Sequence, residues 1–368
     1  MTIQTLELVN FRNYNELKIK FFPGCNILFG ENAQGKTNLL ESIFYLCFSR
    51  SFRTLKDQDV IYFEKLFTRI HGQFLLDRNI EQNVQLCLNK GETKSILLEQ
   101  KKVNRYSELI GKFPVVFLGP DNYKITSDGP IERRRLIDMF LSQVSSAYLK
   151  NLQKYNRILK QRNKILFELN NKINFDAALL EPWNHTLVEC GSFLIKSRHF
   201  FITEFNPLLA KIYTKLNLSK ETLSFSYKPS FSFTNENDIQ ASFLNKLHRD
   251  KTVERVRGLT ISGPHRDDFV FKIENKDLRL FGSRGQHKSV LTALKFAEFF
   301  YLKKKKEETP ILLLDDLFSD LDYHREKQIL EIIQNLGQTF ITTTKKISKI
   351  HPDLKQNEYL VQDGAIKF

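Results

Sequence analysis

The sequence predicts an α/β protein, a mixed sheet with flanking helices interrupted by a compact inserted helical lobe. Three observations carry this reading. Short segments with period-two alternation fill the first third, stretches with apolar residues at helical spacing fill the middle, and the last third returns to strand, helix and strand. A chain of 368 residues that is 41% hydrophobic, with 32 Phe, has ample material for a buried core. We expect residues 1–128 and 257–368 to form the two parts of one body, with residues 129–256 inserted between them.

Taken in order, Ile3–Leu8, Glu16–Phe21, Gly24–Phe29, Thr68–Leu76 and Asn83–Asn89 read as strands, by alternation or by β-branched runs. Arg133–Leu169 and Ala177–Leu216 place apolar side chains at helical spacing. Pro310–Leu314 and Thr339–Thr343 are short apolar runs with polar flanks, the pattern of strands covered on both faces of a parallel sheet.

Charge narrows the class of partner. Lys and Arg number 56 against 42 Asp and Glu, a net charge of +14, which points to a polyanion. By segment the excess is +4 over residues 1–125, +7 over 126–255 and +3 over 256–368. Cys25, Cys47, Cys87 and Cys190 are too few and too scattered for a disulfide framework or a metal cluster, so a reducing compartment is expected. The first residues lack the basic and apolar regions of a secretion signal. The longest apolar stretch, Val290–Leu302, carries Lys295 and Glu298 and falls short of the roughly 20 residues that cross a bilayer. The expectation is a soluble, cytoplasmic protein without a membrane partner.

The strongest local signal is Gly30-Glu31-Asn32-Ala33-Gln34-Gly35-Lys36-Thr37, a complete phosphate loop between the apolar strand Cys25–Phe29 and the helical pattern Asn38–Phe44. Its glycines let the backbone bend around an anion, and amides at the helix start donate to phosphate oxygens. Lys36 is the candidate for the β- and γ-phosphates of ATP and Thr37 for Mg²⁺. Ile311–Leu314 followed by Asp315 and Asp316 supplies the acidic partner strand. Asp315 is placed to hold the metal and Asp316 to orient or deprotonate the attacking water. Between these motifs, Ser283-Arg284-Gly285-Gln286 before the helical pattern Ser289–Leu302 forms a second anion cradle. A second cradle has a use if two copies meet head to tail.

The order of these motifs, with Ser319-Asp320-Leu321-Asp322 after them, resembles the ATP-binding-cassette ATPase heads of the SMC group. Within that group the chain is most similar to the RecF family. Asn10–Tyr14, Pro120-Asp121, Gly129-Pro130 with Arg133–Asp138, and Gly263–Phe269 all look like its hallmarks. The resemblance implies that Ser283, Gly285 and Gln286 of one protomer meet the γ-phosphate held by another, closing an ATP-dependent homodimer. It implies that Arg12 lies by the nucleotide, that Asp320 and Asp322 form a loop across the same interface, and that hydrolysis is weak, DNA-stimulated and resets the dimer. It also implies binding to single-stranded or gapped DNA and loading of a recombinase with RecR- and RecO-type partners, in recombinational repair and replication restart. His287 stands where the family often has Gln, and Asp320 where it commonly has Glu. The switch histidine of transporter-type ATPases is missing, and Thr343 is the nearest substitute. With 277 residues between Thr37 and Asp315 and no sustained heptads, the insert is a lobe and not a long coiled coil. Two rivals, a transporter-coupled ATPase subunit and a DNA nuclease with a similar head, would need a switch histidine and a further acidic cluster respectively, and the sequence shows neither.

Weaker constellations have bland readings beside sharp ones. Arg133, Arg134 and Arg135 point in different directions around a helix, so some would pin the lobe to the body while another meets a phosphate. His265, Asp267 and Asp268 suit local turns and ion pairs better than a metal. Lys303–Lys306 reads as a solvated helix end, with DNA contact the alternative. Trp183 and the Phe193–Phe205 stretch read as core in preference to a base-stacking platform.

Overall fold

The computed structural model describes residues 1–170, 177–216, 221–318, 323–334, 336–349 and 356–367. The chain divides into two compact units, Met1–Asn122 with Leu291–Phe368, and Tyr123–Val290.

The first unit opens with β1 (Thr2–Phe11) and β2 (Tyr14–Lys20), antiparallel with Leu8 opposite Leu17. β3 (Cys25–Phe29) leads through the phosphate loop into α1 (Lys36–Phe48). β4 (Phe67–Leu75), β5 (Glu81–Asn89), β6 (Ser95–Leu98) and the short β7 (Lys101–Lys102) extend the antiparallel sheet, whose order is β2-β1-β4-β5-β6-β7. β4 buries Thr68, Ile70, Gly72 and Phe74 and turns the residues between them outward, the period-two alternation of a sheet with one covered face. β8 (Val115–Leu118) is buried throughout and belongs to a different sheet.

The second unit begins with α2 (Tyr123–Ser127), α3 (Pro130–Val144) and α4 (Ser146–Asn170). The sequence suggested one helix over Arg133–Leu169. Ser145 breaks it, with extended φ −136° and ψ 118° and its hydroxyl accepting from Tyr148 N–H at 3.2 Å, an N-cap for α4. α5 (Glu181–Leu216) follows, then β9 (Leu223–Lys228), α6 (Ile239–Arg257), β10 (Asp268–Ile273), β11 (Lys276–Asp277) and the single turn α7 (Leu278–Phe281). β9, β10 and β11 form a small antiparallel sheet in which Asp268 pairs with Lys228.

This pairing moves a boundary. Residues 257–290 were expected with the first body, but β10 hydrogen-bonds to β9 on one side and β11 on the other and clusters with the helices, so the second unit runs to Val290. Redrawn this way it holds 28 basic and 17 acidic residues, +11 of the total +14.

Buried charge ties the second unit together. Arg162, 1% exposed, donates to Asn184 Oδ1 at 2.8 Å, Thr260 Oγ1 at 2.6 Å and Glu254 Oε2 at 2.6 Å. Arg198, equally buried, donates to Asp138 at 2.7 Å and Asp267 at 3.1 Å. Arg133 makes a two-pronged pair with Asp268 at 2.8 and 3.0 Å, and Arg134 donates to the Asp267 carbonyl at 2.6 Å. Two of the three adjacent arginines therefore bind residues 267–268 of their own unit, while Arg135 is exposed. His265 Nε2 donates to the Thr260 carbonyl at 3.1 Å and Nδ1 accepts from Tyr155 O–H at 2.7 Å, the bland reading of that histidine.

α8 (Arg284–Lys306) spans the step at which the chain returns to the first unit, and Lys303–Lys306 form its last turn. β12 (Ile311–Leu314), α9 (Tyr323–Ile333), β13 (Thr339–Thr343), β14 (Gln356–Gln362) and β15 (Ala365–Lys367) complete the chain. Their sheet has the order β15-β14-β3-β13-β12-β8, parallel except for β15. α1 touches β1, β4 and β5 of the first sheet and β8 and β13 of the second, so one helix is covered by both, and eleven of its residues are buried. Among the described residues no helix is long and apolar enough to cross a membrane.

Candidate nucleotide site

The parallel sheet sets the geometry. Phe29 ends β3 opposite Thr343 on β13, and Leu314 ends β12 opposite Ile341. The phosphate loop and the two aspartates thus leave the same carboxyl edge, where open α/β sheets bind ligands. They border a cavity of about 840 Å³ lined by Asn32, Ala33, Gly35, Lys36, Thr37, Asp315 and Asp316, and also by Arg12, Arg53, Asp59, Ile61, Phe63, Thr342 and Thr344.

The loop is shaped by backbone that most residues avoid. Gly30 has φ 146° and Gly35 φ 114°. A Cβ on Gly35 would lie 2.7 Å from Asn13 Nδ2, so Asn13 and Tyr14, whose O–H donates to the Gly35 carbonyl at 3.0 Å, hold the bend from outside. α1 starts with Gly35 as N-cap and no side-chain cap, which leaves its first amides for an anion. Lys36 Nζ donates to the carbonyls of Gly30 at 2.7 Å and Glu31 at 2.6 Å. Burial lowers the Lys36 pKa, and the charges of Asp316 and Asp315 act against that.

Asp315 is 7% exposed. Its carboxylate accepts from Thr37 Oγ1 at 2.8 and 3.0 Å and from Thr342 Oγ1 at 2.7 Å. Burial raises its pKa, the two hydroxyls oppose the rise, and among the described residues no cation lies within ion-pair distance. A desolvated carboxylate beside a hydroxyl, with a second carboxylate adjacent in sequence, is the hard oxygen set that Mg²⁺ prefers, so these residues fit that ion. Asp316 is exposed, takes φ 53°, and donates its N–H to Thr342 Oγ1 at 2.8 Å. A non-glycine residue in that region costs roughly 1 kcal/mol or more, and such strain clusters at functional sites.

Thr342 was missed in the sequence. Thr343 is the substitute for the switch histidine that the sequence offers, but its hydroxyl accepts from Lys345 N–H at 3.1 Å and it does not line the cavity. Strand alternation turns Thr342 and Thr344 inward instead, and β13 lies between β3 and β12, so Thr342 is the natural bridge between the two motifs.

Arg12 lines the cavity, but its guanidinium is taken up by Glu41 at 2.6 and 2.9 Å and by the Asp59 carbonyl at 2.6 Å. Arg53, which no motif marks in the sequence, is the more available cation. Its side chain is 46% exposed, with one nitrogen donating to Asn38 Oδ1 at 2.8 Å. Its only sequence signal was a basic residue shortly after the phosphate-loop helix.

Ser283, Gly285 and Gln286 belong to the second unit and are not among the cavity-lining residues. Gln286 N–H donates to Ser283 Oγ at 3.2 Å and Ser283 N–H to Gln286 Oε1 at 2.9 Å, a reciprocal cap at the start of α8. Gln286 Nε2 also donates to Glu221 at 3.0 Å, while Ser283 and Gly285 stay exposed. His287, in the position where Gln is frequent, is buried against Tyr123, and burial lowers its pKa. Ser319, Asp320, Leu321 and Asp322 lie outside the described residues.

Comparison with known proteins decides the family. Residues 2–355 match the model of the RecF/RecN/SMC N-terminal domain. A DNA replication and repair protein RecF from Halalkalibacterium halodurans is 37% identical over 374 residues, covering 100% of this chain and 99% of that one. The chain belongs to the RecF family. A second member, from Lachnoclostridium phytofermentans, is 38% identical over 347 residues, covering 94% of this chain and 93% of its own. Among solved structures, the recombination mediator protein RecF-ATP of the RecFOR pathway superposes with a TM-score of 0.91 at 30% identity, covering 99% and 96% of the two chains. An Smc head bound to the C-winged helix domain of ScpA, at 15% identity and a TM-score of 0.56, shares the fold. RecF-family membership displaces the transporter-subunit and nuclease readings.

Proposed function

We propose that the first unit binds ATP with Mg²⁺ in the cavity at the sheet edge, and that the chain is an ATP-dependent DNA-binding protein of replication and recombinational repair. The observation that carries this is the meeting of Lys36, Thr37, Asp315 and Asp316 at the ends of two parallel strands, bridged by Thr342. Thr37 and Asp315 would hold the metal, which when bound supplies positive charge to the phosphates. The α1 amides and Lys36 would hold the β- and γ-phosphates, and Asp316 would orient the attacking water.

Ser283, Gly285 and Gln286 of a second copy would complete the site, so ATP acts as the joint of a homodimer and its hydrolysis reopens it. We assign a weak, DNA-stimulated ATPase to this switch. The excess of +11 in the second unit favours contact with the phosphate backbone of single-stranded or gapped DNA, with little base readout. RecR- and RecO-type mediators are the proposed protein partners, by likeness to a member placed in the RecFOR pathway, and the cytoplasm is the proposed compartment.

Sedimentation of the wild type, Lys36→Arg, Ser283→Arg and Asp316→Asn, each with ATP and with DNA, tests the scheme. The wild type should dimerise with ATP, Asp316→Asn should give longer-lived dimers, and Ser283→Arg should stay monomeric. Normal ATP-dependent dimers of Ser283→Arg would refute the trans contact.

A further inference from the structure

The turn between β14 and β15 lies against the phosphate loop from the far end of the chain. Asp363 N–H donates to Gln34 Oε1 at 2.6 Å, and Gly364 N–H donates to the Gln34 carbonyl at 3.2 Å. Asn13 Nδ2 donates to the same carbonyl at 3.0 Å. Gly364 has φ 69°, and a Cβ there would come within 2.2 Å of the Asn13 carbonyl oxygen. The Val361 carbonyl oxygen occupies the space a Cβ on Gly30 would need, at 2.4 Å. Gln34, counted from the sequence among the nucleotide contacts, therefore gives its side-chain oxygen to a turn 329 residues away.

We propose that Gln34 and the Asp363–Gly364 turn are positioning residues for the phosphate loop, the C-terminal hairpin holding the loop in the shape in which its amides converge on an anion. The loop needs such a brace. Gly30, Ala33 and Gly35 all have positive φ, at 146°, 65° and 114°, and Ala33 carries a Cβ that disfavours this region. Backbone of that kind persists where surrounding contacts fix it. The contacts here are three donors on one residue and two close approaches that admit only glycine. A cradle ordered before its ligand arrives gives up less entropy on binding, so loosening the brace weakens affinity without removing any group that touches the ligand.

This inference rests on the ATP-binding reading, and the experiment separates the two. The full chain is titrated with a fluorescent ATP analogue and Mg²⁺ as wild type, Gln34→Ala, Gln34→Glu, Gly364→Val and Lys36→Ala. Amide exchange across residues 30–36 is followed without nucleotide. Gln34→Ala and Gly364→Val should each bind about tenfold more weakly, the order of one intramolecular hydrogen bond. Both should exchange faster within the loop only. Gln34→Glu should stay within about twofold of wild type, because its carboxylate still accepts from Asp363 N–H and its charge is screened by solvent. A Gln34 side chain that touched the triphosphate would give the opposite order, with Glu worse than Ala. That order, or unchanged binding and exchange in both Gln34→Ala and Gly364→Val, overturns the proposal. If wild type and Lys36→Ala bind equally poorly, the ATP reading fails instead, and the nucleotide-free exchange still decides the brace.

Discussion

Lowering the pH from 7.5 to 5 should destabilise the second unit through His265, and the size of the effect follows from its surroundings. Nε2 donates to the Thr260 carbonyl, so in the neutral ring Nδ1 is the acceptor for Tyr155 O–H. Adding a proton at Nδ1 removes that acceptor and places charge in a buried site near Arg266, Arg134 and Arg162. Burial first, and these cations after it, bring the pKa from 6.5 down to about 4. The folded state resists a proton that the unfolded chain takes up near pH 6.5, so stability is full above that value and falls as pH drops toward 4. The whole shift corresponds to about 3 kcal/mol, of which about 2 kcal/mol is lost by pH 5. Trp183, the single tryptophan, lies in α5 of this unit, so its fluorescence during urea unfolding follows the right transition. His265→Asn keeps an acceptor and a donor without a titrating ring, and its unfolding should lose about 2 kcal/mol less than wild type between the two pH values. Equal losses in both proteins would refute the claim that the fold holds His265 neutral.

Other variants probe separate parts of the molecule. Asp315→Asn should raise the melting temperature of the nucleotide-free protein while abolishing Mg²⁺-dependent ATP binding. Burial disfavours the ionised Asp315, so its penalty is present at neutral pH and relieved in acid, and the gain in the variant should shrink as pH falls. Thr342→Val removes a donor to Asp315 and the acceptor of Asp316 N–H, and should cost about 1–3 kcal/mol of stability and slow steady-state ATP hydrolysis. Arg162→Met strands the buried Glu254 and should lower urea-unfolding stability by about 3–5 kcal/mol, most of it regained on adding Glu254→Leu. Raising salt from 50 to 200 mM should weaken DNA binding far more than ATP binding, read by fluorescence anisotropy.

What the sequence revealed was whatever depends on local periodicity or fixed spacing. The phosphate loop announces itself because each residue type answers a local demand, and the β12 aspartates do so because four buried apolar residues precede them. Contacts made across long sequence separations were not legible. Thr342 and Thr343 are chemically alike, and only the place of β13 between two other strands shows which one faces Asp315. Residues 257–290 carry no composition that ties them to α5 and α6, since their allegiance is set by the ladder of β10 with β9. Ser145 carries no mark in the sequence that sets it apart from other serines, and the apolar spacing on either side of it masks the break between α3 and α4. Arg12 and Arg53 differ by which of them Glu41 claims most closely, a fact of packing alone.

The uneven division of charge has a kinetic consequence. With +11 on the second unit and +3 on the first, the pull of a polyanion acts mainly on the second unit. Encounters that begin there should be the faster ones, and added salt should slow them by shortening the reach of the field, which is about one Debye length, roughly 8 Å, at physiological ionic strength.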